Sequence, residues 1–181
     1  SEKNNFQISQ EIKKKLINNI FFIPKDFFNK FLKKNNLIHS FEVKKIYPNT
    51  IEVKIERTEF LGVINIDEDL FFIGSNGKLI YSDSKPKKLP KVFGNINTFK
   101  FIEFVKVIKR SKFNYQTINE IYFFPSGRWD IKTIDDKLFK LPLENLESNL
   151  NSIYEITKNQ EFINSKIIDL RFNKKIIFTN E

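Results

Sequence analysis

Lys166-Ile-Ile-Asp-Leu-Arg-Phe172, then Asn173-Lys174, then Lys175-Ile-Ile-Phe-Thr179, is a pair of short apolar arms joined by a polar link. In the first arm Ile168, Leu170 and Phe172 point one way, while Asp169 and Arg171 point the other. A period of two marks a half-buried strand. Asn173 and Lys174 suit a tight connection, because Asn tolerates positive φ. The second arm returns with Ile176 and Phe178 on one face and Ile177 on the other. No later strand in this sequence follows to cover the new edge, and an apolar, β-branched edge is either a liability or a docking site. Pattern alone leaves two readings open: an earlier strand or a helix covers the edge, or it receives a strand from another chain.

Upstream, the chain reads as a scaffold for that hairpin. Ile8, Ile12 and Leu16 recur every four residues and predict a short amphipathic helix. Pro24 suits the first position of a second helix, with Phe27, Phe28, Phe31 and Leu32 as its apolar side and Asn35-Asn36 as its stop. Phe41 to Ile46 and Ile51 to Glu56 alternate as a strand pair around Pro48-Asn49. From Phe60 the pattern changes. Strands are expected at 60–66 and 70–73, and Ser75-Asn76-Gly77 signals a hairpin into 78–81. Residues 82–90 read as a surface loop. Thr98 is expected to cap a helix over 98–111 whose buried side is Phe101, Ile102, Val105 and Ile108. Three meander strands follow, over 117–124, 128–134 and 137–141, and Leu146, Leu150 and Ile153 mark another helix. The fold class is α+β, with an antiparallel sheet covered on one face by helices.

Composition narrows the function classes. The 181 residues allow one domain or two small ones, and 40% hydrophobic content with 21 Phe is ample for a core. A net charge of +9 suits either a polyanion partner or a solvated, Lys-rich surface. Basic residues are spread along the chain and cluster only at 13–15, 85–91 and 174–175, so no nucleic-acid partner is expected. No Cys is present, which excludes disulfides and thiolate chemistry. No apolar run approaches the ~20 residues that cross a bilayer, and no secretory signal pattern appears. The opening Ser1-Glu-Lys-Asn-Asn5 reads as a fragment or a processed start.

The residue types of catalysis are sparse. His39 is the only histidine, and it enters a strand. The carboxylates of Asp67–Asp69 and Asp135-Asp136 fall at turns, where Asp serves its own backbone. Gly77 and Gly127 are isolated hairpin glycines, not a phosphate cradle. No enzyme, metal or cofactor is expected.

Six segments, in order, resemble the extracytoplasmic part of the bacterial cell-division protein family FtsQ/DivIB. Ile46-Tyr-Pro-Asn-Thr-Ile51 is similar to that family's aromatic-Pro-x-Thr-aliphatic turn, and Ile55-Glu56-Arg57 to the Glu-Arg closing its POTRA domain. Asn76-Gly-Lys-Leu-Ile80 resembles its Gly-centred hairpin, and Leu89-Pro-Lys-Val-Phe-Gly94 its Leu-Pro-x-aliphatic-x-Gly loop. Arg128-Trp-Asp-Ile131 is similar to its Trp-bearing strand, and Ile168-Asp-Leu-Arg-Phe172 to its Asp-Leu-Arg-aromatic strand. Glu59 and Leu61 replace the usual Pro and small residue, and Lys174-Lys175 replaces a small residue and Gly.

The resemblance implies an N-terminal POTRA domain lacking its first strand (1–59) and a β domain (60–181). The missing strand, a membrane helix and a cytoplasmic tail would lie upstream of Ser1. It implies a non-enzymatic divisome scaffold, single-pass in the inner membrane with this part in the periplasm, that recruits FtsB and FtsL by strand addition to its last strand. Other divisome membrane proteins would meet the POTRA domain. The residues implied are Arg128, Arg171, Phe172, Asn173, Lys175, Ile176, Ile177 and Phe178. Arg128 would reach an acidic side chain, and the alternative for Arg171 is a cross-strand ion pair within the sheet. Trp129 is expected to pack in the core. Two other functions would use similar features: a POTRA-bearing chaperone for outer-membrane proteins, which would show repeated units, and a basic nucleic-acid-binding domain.

Overall fold

The computed structural model describes residues 10, 30, 34–47, 50–81, 88–158, 165–172 and 175–179. The chain forms two compact units, Ser1–Thr58 and Glu59–Glu181. The two helices expected before residue 33, the Pro48-Asn49 turn, the 173–174 connection and most of the 82–90 loop lie outside the described residues.

In the first unit, β1 (Ile38–Ile46) and β2 (Thr50–Arg57) pair antiparallel. The register follows from charge and apolarity together. Glu42 opposes Lys54, Lys44 opposes Glu52, and the Ser40 hydroxyl donates to Glu56 at 2.6 Å on one face. Phe41 opposes Ile55 and Val43 opposes Val53 on the other. A slip by one residue would set apolar against charged positions through the middle of the ladder, from Phe41 to Lys44.

Among the described residues the second unit holds nine strands: β3 (Phe60–Ile66), β4 (Asp69–Gly74), β5 (Leu79–Tyr81), β6 (Lys91–Phe93), β7 (Ile118–Phe123), β8 (Trp129–Thr133), β9 (Leu138–Lys140), β10 (Ile167–Asp169) and β11 (Ile177–Thr179). They form one sheet in the order β11-β10-β9-β8-β7-β6-β3-β4-β5. Most neighbours are antiparallel, as expected. The β3–β6, β6–β7 and β9–β10 pairs are parallel. Two of these come from β6, three residues inside the Leu89–Gly94 segment expected as a loop.

Among the described residues two helices cover one face: α1 (Thr98–Arg110) and α2 (Leu146–Thr157). The cap of α1 is Asn97, not Thr98. The Asn97 side chain accepts from the amides of Phe99 and Lys100, and the Thr98 hydroxyl is turned to the Gly77 carbonyl at 2.8 Å. Such a cap contributes about 1 kcal/mol. The covered face carries a continuous row, Val92, Ile121, Ile131, Phe139, Ile168 and Phe178, one residue from each of six adjacent strands. Phe101, Phe104, Val105 and Ile108 of α1 and Leu150 and Ile153 of α2 close over it. Trp129 is buried as expected, stacked on Phe104 with ring centroids 4.6 Å apart and planes 8° apart.

The terminal hairpin departs from its expected form. Pairing runs only from Ile167–Thr179 to Asp169–Ile177, so the connection is longer than two residues. The Arg171 amide donates to its neighbour Asp169 Oδ1 at 3.1 Å, and the Leu170 amide to the Lys140 carbonyl at 3.0 Å. The side chain of Asp169 thus claims an amide that a longer ladder would need, as Asp does in turns.

A candidate partner-binding site at the sheet edge

Strand β11 ends the sheet, and among the described residues no strand is paired beyond it. Ile177 is about half exposed on the open face, whereas Phe178 points inward and packs against the core. Lys175 and Ile176 precede the strand and are exposed; the Lys175 amide closes a turn onto the Phe172 carbonyl at 3.1 Å. Asn173 lies outside the described residues.

On the open face a second row crosses the sheet: Tyr122, Asp130, Lys140, Asp169 and Ile177, in register on β7 to β11. Alternating charge at the centre of this row is favourable, since Lys140 stands between the two carboxylates. Asp130 and Asp169 are 3% and 7% exposed. Each is held by an arginine two residues away on its own segment. Arg128 donates through Nε to Asp130 Oδ1 at 3.1 Å and through Nη2 to Oδ2 at 3.4 Å. Arg171 donates through Nε to Asp169 Oδ1 at 2.8 Å and through Nη2 to Oδ2 at 2.5 Å. The expected alternative for Arg171, a cross-strand pair, is therefore replaced by a pair within one segment.

The two carboxyls shift in opposite directions. Burial pushes Asp130 above the ordinary aspartate value and outweighs the opposing pull of Arg128, the Leu141 amide and Arg171. Burial works upward on Asp169 too, but the hydrogen bonds and charge of Arg171, with Lys140, outweigh it and hold the group low. Burial, and then the hydrogen bond and charge of Glu120, push the Tyr122 phenol up to about 12.

Arg128, Arg171 and Phe172 are brought together. They line an open groove of about 580 Å³ with Pro142, Leu143, Leu170 and the acidic Glu144. The Arg128 guanidinium also lies over the Phe124 ring at 4.1 Å. Phe172 is 50% exposed, and Leu143 of the same groove is exposed as well. The groove thus offers two guanidinium groups against the single carboxylate of Glu144, with apolar surface beside them, a combination suited to an acidic and aromatic segment. Sequence reasoning missed Asp130, Asp169 and Leu143. The first two were visible as acid–base pairs two residues apart, which share one side of a strand.

The comparisons with known proteins divide as the chain does. Residues 4–57 match the family model described as POTRA domain, FtsQ-type. Residues 62–171 match the model described as cell division protein FtsQ/DivIB, C-terminal. Two curated relatives are each described as cell division protein FtsQ. The one from Rickettsia typhi is 26% identical over 159 residues, and the one from Rickettsia prowazekii is 28% identical over 162. Each alignment covers 86% of this chain, which spans 60% of the length of these relatives. A solved structure, the major extracytoplasmic domain of the trans isomer of the cell division protein DivIB from Geobacillus stearothermophilus, is 13% identical with a TM-score of 0.44. That match covers 59% of this chain and 96% of the DivIB domain.

Proposed function

Because this chain belongs to the FtsQ/DivIB family of bacterial cell-division proteins, we propose that it is a non-enzymatic divisome scaffold that recruits FtsB and FtsL by strand addition at β11. The observation that carries this reading is the position of β11 at the end of the sheet, directly beside the Arg128–Arg171–Phe172 groove. A strand added to β11 would extend the ladder through main-chain hydrogen bonds, while pockets and charges set its identity. The guanidinium groups meet an acidic side chain of the partner, Phe172 supplies the apolar anchor, and Leu143 lies at the rim. Asn173, Lys175, Ile176, Ile177 and Phe178 complete the binding residues in this reading.

The same reading places a POTRA domain at 1–59 and the β domain at 60–181, on the periplasmic side of the inner membrane. No described helix is long and apolar enough to cross a membrane. Other divisome membrane proteins meet the POTRA domain.

The test is a titration of this chain with the extracytoplasmic segment of an FtsB-type protein, followed by backbone amide NMR. The expected shifts are concentrated at 171–179 and at Arg128. Binding that shifts only the first unit, or no binding at high micromolar concentration, refutes strand addition at β11.

A further inference from the structure

The two arginines of the groove are held by one device used twice. Strand β8 runs antiparallel to β9, and β10 runs parallel to it. Arg128 precedes Asp130 by two residues, and Arg171 follows Asp169 by two. The opposite chain directions therefore set both aspartates in one row, flanking Lys140, and both arginines one step further in the same direction, flanking Pro142. Two strand spacings separate the members of each row, about 10 Å.

In both pairs the arginine spends the same edge. Its Nε and Nη2 face the aspartate, and Nη1 takes part in neither pair. A guanidinium has five donors in a rigid fork, so engaging the Nε edge fixes the plane and leaves the terminal Nη1 side for a second acceptor. Each carboxylate is itself fixed by a backbone amide: Leu141 donates to Asp130 and Arg171 to Asp169. A free arginine side chain carries much rotamer entropy that binding must remove, and a pre-set fork has already lost it.

We propose that Asp130 and Asp169 are positioning residues, which present the Nη1 sides of Arg128 and Arg171 to the acidic partner. This deepens the partner-site reading above and rests on it. The competing view is that the aspartates screen the arginines and weaken attraction to an acidic ligand. The two views predict opposite signs for the same substitution, since Asp→Asn keeps shape and removes the charge.

The experiment is a thermodynamic cycle on the intact chain with Asp169→Asn, Arg171→Ala and the double variant, using the FtsB-type segment as probe. Amide spectra of each variant confirm the native fold. The expected result is an affinity loss of about tenfold for Asp169→Asn that disappears in the Arg171→Ala background. In the unbound protein, the Arg171 Nε–H resonance is expected to be sharp in the wild type and broadened in Asp169→Asn. Asp130→Asn is expected to repeat the pattern through Arg128, which covers the case in which Asp169→Asn does not fold. Unchanged or tighter binding by the Asn variants overturns the inference. So does a loss that persists without Arg171, because the aspartate then acts through the fold. If Arg171→Ala and Arg128→Ala leave affinity unchanged, the partner-site reading itself fails, and the inference with it.

Discussion

Gly94 lies against the carbonyl of Phe123, so close that a Cβ built on Gly94 would overlap that oxygen. The contact exists because β6 and β7 are parallel neighbours, with Phe93 opposite Tyr122. Gly94 also has φ +105°, a conformation reserved for glycine. Gly77 is different. Its φ is +78°, and its Cβ would meet the Phe99 ring at 2.8 Å, but that ring is the movable end of an exposed side chain.

Alanine at these two glycines therefore has unequal effects. Gly77→Ala is expected to cost about 1–2 kcal/mol, the penalty of a left-handed alanine, with the Phe99 ring swinging aside. Gly94→Ala meets backbone, which cannot swing, and is expected to cost more than about 3 kcal/mol or to prevent folding. Urea unfolding of both variants checks the order. Equal losses would mean that the β6–β7 junction yields as readily as a surface ring.

Trp129 is the only tryptophan, so its emission reports on the core. It stacks on Phe104 and lies 4.5 Å from the Phe123 centroid. Trp129→Ala is expected to destabilise by about 3–5 kcal/mol, through lost burial and the cavity left behind. Trp129→Phe is expected to cost less than half of that, since one ring still fills the slot. Denaturant midpoints at unchanged m-value would confirm both.

How much of this was legible in the sequence depends on the strength of each local pattern. Strands β1 and β2 were legible because apolar and charged residues alternate from Phe41 to Lys44 and strictly from Ile51 to Glu56. Helix α1 was legible from Phe101, Ile102, Val105 and Ile108, all of which are buried. Strand β6 was not. Three residues show no periodicity, and its partners β3 and β7 are more than twenty residues away on either side. The cap was misplaced by one because Asn97 and Thr98 both favour that position, and only the Gly77 carbonyl decides between them. At the site, the edge position of β11 and the nearness of Arg171 and Phe172 to it followed from the hairpin. The length of the hairpin did not, because Asp169 competes for the Arg171 amide.

The two clamped aspartates separate in pH. Asp169 is held below its ordinary value, so its ionised form stabilises the native state; that contribution is present above the unfolded value of about 3.9 and lost as pH falls through the folded one. Asp130 is pushed above its ordinary value, so the native state loses stability from this group as pH rises through the folded value. Carboxyl carbon NMR titration is expected to show Asp169 below and Asp130 above 3.9. On acidification, Asp169→Asn should lose stability less steeply than the wild type, and Asp130→Asn more steeply. The reverse order of titration would mean that burial does not separate the two sites.

Phe172 tests the groove with little risk to the fold. Half of its surface is exposed, and Leu170, two residues earlier, already fills the buried position of this segment. Truncation to alanine is expected to leave the unfolding midpoint within about 0.5 kcal/mol of the wild type, as for most surface changes. If the ring anchors the partner, the same truncation weakens binding of the FtsB-type segment by about 2 kcal/mol, or roughly 30-fold. Leu143→Ala, across the groove, should weaken binding by less, because an aliphatic rim residue excludes water without filling a pocket. Calorimetric titration of the two variants decides between anchor and rim. A greater loss for Leu143 than for Phe172 would move the centre of the site away from the terminal hairpin and toward the segment that follows β9.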